Sequence, residues 1–208
     1  MTSSLLEFSD AFEKRLVRVL QVALAAIVVY GVVRLQFELV LNAGLPLAVT
    51  FFPAYLRREY SYTMDAGLVL LLSVAVFLHA IGSLGLYVRY SWYDEITHTV
   101  SAVLVAGTGY ATLTALERHS SEIDLPPKLR GIFILVFVLA FSVVWEVFEV
   151  SAVWLSQLLG VTSPVKVFGI DDIVTDMIFN TVGGLIVAVW GADYFDDIIP
   201  FLRRRLRS

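Results

Sequence analysis

Three stretches decide what kind of fold this chain can adopt. VALAAIVVYGVV (22–33), AGLVLLLSVAVFLHAIG (66–82) and IFILVFVLAFSVVW (132–145) run on almost without charge. A helix crossing the ~30 Å hydrocarbon layer needs about 20 such residues. Composition agrees: 58% of the 208 residues are hydrophobic, and the mean hydropathy is +0.80. A soluble domain of this length would not need so much apolar sequence for its core. The expectation is an all-α, polytopic transmembrane helical bundle.

The pattern divides into six spans, at roughly 17–34, 36–56, 66–88, 95–116, 130–154 and 172–193. The second is the least regular, because FELVLNAGLPLAVTFFPAYL contains Glu38, Asn42, Gly44, Pro46 and Pro53. Proline and glycine are tolerated in membrane helices when neighbours satisfy the freed backbone groups, so a kink or an unwound turn is expected there. The chain reads as a single domain: an amphipathic segment over 1–16, the bundle over 17–196 and a basic tail over 197–208. In the first segment Asp10 can cap a helix and Glu13 can answer it, while Leu5, Leu6, Phe8, Phe12 and Leu16 can lie in the membrane interface. The closing RRRLR serves as a topology anchor, with affinity for anionic lipid as an alternative.

Basic residues set the orientation. With six spans, one side receives Lys14, Arg15, Arg18, Arg57, Arg58, Arg118, Lys128, Arg130, Arg203, Arg204, Arg205 and Arg207, twelve of the 15. The other receives Arg34, Arg89 and Lys166. The positive-inside rule then puts both termini in the cytoplasm of a multi-pass inner-membrane protein. Omitting the second span weakens the bias. Cysteine is absent, which excludes disulfides, thiolate zinc sites and cysteine nucleophiles. Membrane lipids are the expected partners, and no nucleic acid is.

Orientation tells where the polar groups inside the spans should fall. Span four opens with WYDEITHTV, placing Asp94 and His98 in its outer turns. Span five runs outward and carries Glu146 and Glu149 near its outer end, within VVWEVFEVSAVW. Span six opens with IDDIVTDMIFNTVGG, so Asp172, Asp176 and Asn180 lie progressively deeper. His79, in the outer half of span three, falls about 13 Å below the surface at 1.5 Å per residue. Asp94/His98 and Asp172/Asp176 are i,i+4 pairs and Glu146/Glu149 is i,i+3, so each pair shares a helix face. Ser142 and Ser101 sit one turn below Glu146 and just below His98, and Gly183-Gly184 lets a neighbouring helix approach closely. These positions describe a polar pocket walled by spans three to six and opening outward.

An ionised group at mid-bilayer costs about 2.5–3.5 kcal/mol. Several carboxylates facing one pocket repel each other unless protons, the histidines or a cation neutralise them. Carboxylate and imidazole together suit a divalent metal ion such as Zn²⁺, Mn²⁺, Fe²⁺ or Mg²⁺. His79, Asp94, His98, Glu146, Glu149, Asp172 and Asp176 are therefore candidate metal ligands, with Glu149 and Asp176 as candidate catalytic groups. Bland readings stand beside these. Glu95 and Asp171 suit solvated helix starts, as Asp94 can. His98 can pair with Asp94 for structure alone, and His79 can simply bond a backbone carbonyl. Tyr87, Trp92, Tyr93, Trp145 and Trp154 suit an aromatic belt, and His119 lies at the wrong end of its span.

HAIGSLGLY (79–87), WYDEITHTVSA (92–102), VVWEVFEV (143–150) and DDIVTDMIFNTVGG (171–184) resemble the YjdF-like family of bacterial and archaeal inner-membrane proteins. That resemblance implies that His79, Asp94, His98, Glu146, Glu149, Asp172 and Asp176 hold the family's polar positions, and it implies no reaction. More distantly, Asp94-x-x-x-His98 and Asp176-x-x-x-Asn180-x-x-Gly183 are similar to VanZ-like proteins, although Thr99 stands where an aromatic often follows the histidine. Three functions compete. One is a metal-dependent enzyme acting on a lipid or lipid-linked envelope substrate. The second is a proton- or cation-coupled transporter, disfavoured by the lack of an inverted repeat. The third is an accessory subunit whose charges pair only with each other.

Overall fold

The computed structural model describes residues 10–205 except 121, 122, 124, 164, 166, 168, 191–194 and 196–198. Leu5, Leu6, Phe8, Lys166 and Arg207 lie outside the described residues. Every described element is helical, and six stretches are long and apolar enough to span a membrane. Two compact units divide the chain, Met1–Ala80 and Ile81–Ser208.

The first unit holds α1 (Asp10–Val33), α2 (Phe37–Val49), α3 (Phe52–Tyr60) and nearly all of α4 (Ala66–Ile81). Asp10, the first described residue, is helical and pairs with Lys14 at 3.5 Å, an exposed i,i+4 contact. The second span is indeed interrupted, between α2 and α3. Pro53 has no N–H to offer the carbonyl four residues back and crowds it, which favours a break there, whereas α2 runs on through Pro46. The backbone tightens instead: Phe51 N–H donates to Ala48 O at 3.1 Å. The Thr50 hydroxyl donates to Leu47 O at 2.6 Å and accepts from Gln21 Nε2 at 3.2 Å. The break therefore keeps its polar groups satisfied, as an apolar solvent demands. Leu24, Ala43 and Ala80 form the core of this unit, with Ile27, Val28, Leu47 and Phe77 packed around them.

The second unit starts with a kinked turn, Gly82–Leu86, that leads into α5 (Tyr87–Arg89). Gly85 has φ +119°, a conformation open to glycine and strained for any L side chain. Then come the long helices α6 (Ser91–His119), α7 (Pro127–Leu159) and α8 (Ile170–Trp190), and the short α9 (Ile199–Arg205). Between apolar helices in lipid, close backbone approach is the main source of packing energy, and small residues on α6 and α8 supply it. A Cβ on Gly183 would sit 2.6 Å from both Ala102 Cβ and Thr99 O of α6. A Cβ on Gly184 would meet Leu135 and Val138 of α7. Thr99 Oγ1 also donates across the contact to Phe179 O at 3.3 Å. Where α6 gives way to α7, Arg130 Nη2 pairs with Glu117 at 3.0 Å, and Leu125 N–H donates to the same carboxylate.

Candidate metal centre

Helix α7 answers why carboxylates interrupt an apolar run. Between Val143 and Val150 only Glu146 and Glu149 are buried; the valines, Trp145 and Phe148 are exposed. Ser142 continues the buried stripe one turn away. The usual arrangement is inverted, apolar outward and acidic inward, which suits a helix whose outer face meets lipid. Helix α8 does the same with Asp176 and Asn180, which are 2% and 7% exposed.

Helix α6 brings the imidazole to these groups. His98 Nε2 lies 3.4 Å from Asp94 Oδ1 on its own helix and 3.5 Å from Asp176 Oδ1 on α8. The three donor atoms fall within 4.8 Å of one another. Both spacings exceed the 2.7–3.2 Å range of ordinary N–H···O bonds. They match the roughly 3.4 Å edge between two ligands held about 2.1 Å from a tetrahedral ion.

The other ring nitrogen is held as well. Asn180 Nδ2 lies 3.3 Å from His98 Nδ1 and donates to Ser142 Oγ at 2.7 Å. With the amide N–H toward Nδ1, the neutral ring carries its proton on Nε2, facing the carboxylates. With the amide turned over, its oxygen accepts from Nδ1–H, and Nε2 presents a lone pair to an ion. Asn180 thus serves the ring in both states. Replacing Asn180 with Leu should weaken divalent-metal binding about 10–100-fold, the usual cost of losing an outer-shell partner. Calorimetric titration of the purified chain measures this, and Asn180→Gln should recover part of the loss.

More negative charge surrounds the triad. The charges of Asp94, Asp172, Glu146 and Glu149 all act on Asp176, and those of Asp94 and Asp172 act on Glu146. Glu146 is 6% exposed, and its Oε1 is buried without a hydrogen-bond partner. A bare carboxylate oxygen in such a place is expensive unless a cation or proton meets it.

Of the residues singled out in the sequence, Asp94, His98 and Asp176 form the ligand-distance set. Glu146, Glu149 and Asp172 join them as neighbouring charges of the same unit. His79 belongs to the first unit, half-buried near the end of α4. Asp171 is exposed, as a solvated helix start should be. Two aromatic assignments change. Tyr93 is 6% exposed rather than part of a belt, because its ring packs edge-on against Tyr87 at 5.6 Å. Tyr87 in turn fills the space that the missing side chain of Gly82 leaves. Trp92 and Trp154 remain exposed, as a belt requires.

Six apolar spans with acids and an imidazole turned inward define a multi-pass integral membrane protein. The chain belongs to the family described as predicted membrane protein (DUF2238), whose model matches residues 16–197. No curated protein and no solved structure matches it.

Proposed function

We propose that this protein holds a divalent cation between Asp94, His98 and Asp176, and uses it to act on a lipid or lipid-linked envelope substrate. The reading rests on one observation: carboxylates from two helices flank the same imidazole nitrogen at 3.4 and 3.5 Å. Glu146, whose charge acts on Asp176, adds a buried carboxylate oxygen without a hydrogen-bond partner. Two carboxylates and an imidazole suit Zn²⁺, Mn²⁺, Fe²⁺ or Mg²⁺. Such an ion polarises a phosphoryl or acyl oxygen, or lowers the pKa of a bound water. Glu149 lies outside the ligand-distance set and would accept the proton of an attacking water as general base, while Asp176 would help hold the ion.

The orientation belongs to this proposal. Both termini face the cytoplasm, the chain sits in the inner membrane, and the centre lies toward the outer leaflet. The likeness to YjdF-like and, more distantly, VanZ-like proteins belongs here too. A transporter is the weaker reading. Beyond Ser142 and Asn180 the buried positions turn apolar, through Val138 and Ile134 on α7 and Gly183, Gly184 and Val187 on α8. A proton relay along those helices has no further stations.

The test is turnover. Metal-loaded chain mixed with envelope lipids should release phosphate, headgroup or fatty acid. Glu149→Gln should abolish release and keep the metal. Metal-independent proton or cation flux in proteoliposomes, without any release, would favour the transporter instead.

A further inference from the structure

A second polar locus lies near the opposite end of α6, about 30 Å along the helix from His98 at 1.5 Å per residue. There Arg118, in the last turn of α6, and Arg203 and Arg204 of α9 line a cavity of about 270 Å³, together with Ile199 and Pro200. Helix α9 packs on α6, and Ile199 is fully buried. The cavity is therefore built by tertiary packing.

Its chemistry is one-sided. Three arginines line it, and the described residues that line it include no carboxylate. Arg203 Nε is buried and has no hydrogen-bond partner. A buried guanidinium donor that nothing accepts from, set among further arginines, suits an anion with several oxygens. The planar guanidinium fork matches a phosphate in two-point contacts. Ile199 and Pro200 give the same cavity an apolar wall, which a free inorganic ion does not need and the stem of a lipid does. The position also fits. The cavity joins the end of one apolar span to the short helix that follows another, and the ends of membrane-spanning helices are where anionic headgroups meet basic side chains.

We propose that Arg118, Arg203 and Arg204 form a binding site for the phosphate of an anionic lipid headgroup. The proposal is independent of the metal centre. It gives the basic tail a specific ligand beyond its part in orienting the chain.

The full chain, purified in a neutral detergent, is titrated with short-chain phosphatidylglycerol, short-chain phosphatidylcholine or inorganic phosphate. Bound lipid is read by native mass spectrometry and the melting temperature is followed in parallel. The expected result is one phosphatidylglycerol per chain with a raised melting temperature, and little response to phosphatidylcholine. Arg203→Gln/Arg204→Gln should bind phosphatidylglycerol roughly 25-fold more weakly, at about fivefold per arginine. Arg57→Gln/Arg58→Gln removes the same charge from the first unit and should bind like wild type. An equal loss in that control would show a diffuse surface-charge effect and overturn the site. Equal protection by inorganic phosphate would overturn the lipid assignment. Undiminished phosphatidylglycerol binding by Arg203→Gln/Arg204→Gln would overturn the proposal outright.

Discussion

Substituting Ala for His98 should strip the purified protein of its divalent metal. His98 Nε2 is the atom that both Asp94 and Asp176 approach, and the ring is the sole imidazole of the ligand-distance set. Outer-shell partners already account for about 10–100-fold in affinity. Losing a direct ligand should therefore exceed about 100-fold, a larger effect than at Asn180. Elemental analysis after equilibration with micromolar Mn²⁺ or Zn²⁺ gives the readout. Wild type should carry about one ion per chain and His98→Ala a small fraction of that. Folding must be followed in parallel, because the substitution also removes the bridge between α6 and α8. Helical circular dichroism and a monodisperse elution profile, with the metal gone, are the expected combination.

The largest effect on stability should come from a residue with no polar chemistry. Gly183→Val places a branched side chain where even a Cβ meets Thr99 O and Ala102 Cβ at 2.6 Å. One obstacle is backbone, so it cannot swing aside, and α8 must move off α6. Overpacking of this kind typically costs about 1–3 kcal/mol. The upper end is expected here, because small-residue contact is the main adhesive between these helices in lipid. The displacement should also cost metal affinity, since α8 carries Asp176 and Asn180 to His98. Gly131→Ala is the matching control: nothing lies within 4 Å of the added carbon, so its melting temperature should stay near wild type. Equal stability of Gly183→Val and Gly131→Ala would contradict the packing described for α6 and α8.

Much of the fold could be read locally. Apolar runs longer than a membrane is thick have few alternatives, and all six expected spans coincide with helical stretches to within several residues at each end. The break in the second span was legible as well, because a proline acts on its own helix. Spacing within one helix likewise put Asp94 beside His98, and Glu146 on one face with Glu149. Contacts between helices are another matter. Nothing in the sequence spacing states that Asp176 reaches the same nitrogen as Asp94. Nor does it state that Asn180 bridges His98 to Ser142, since those pairings depend on how α6, α7 and α8 rotate against each other. Tyr93 shows the limit clearly. Its neighbours suggest an interfacial belt, and only the approach of Tyr87 explains why it turns inward. The kink that delivers Tyr87 is equally unmarked, apart from Gly82 and Gly85.

The most direct test of the metal centre is to locate the ion. The chain, saturated with Mn²⁺ or Zn²⁺, would be crystallised and anomalous scattering recorded at the metal's absorption edge. The account predicts one strong peak about 2.0–2.3 Å from His98 Nε2, with Asp94 and Asp176 completing the contact and Asn180 on the far side of the ring. Saturating metal with no peak between those three side chains, or a peak elsewhere on the protein, would contradict it.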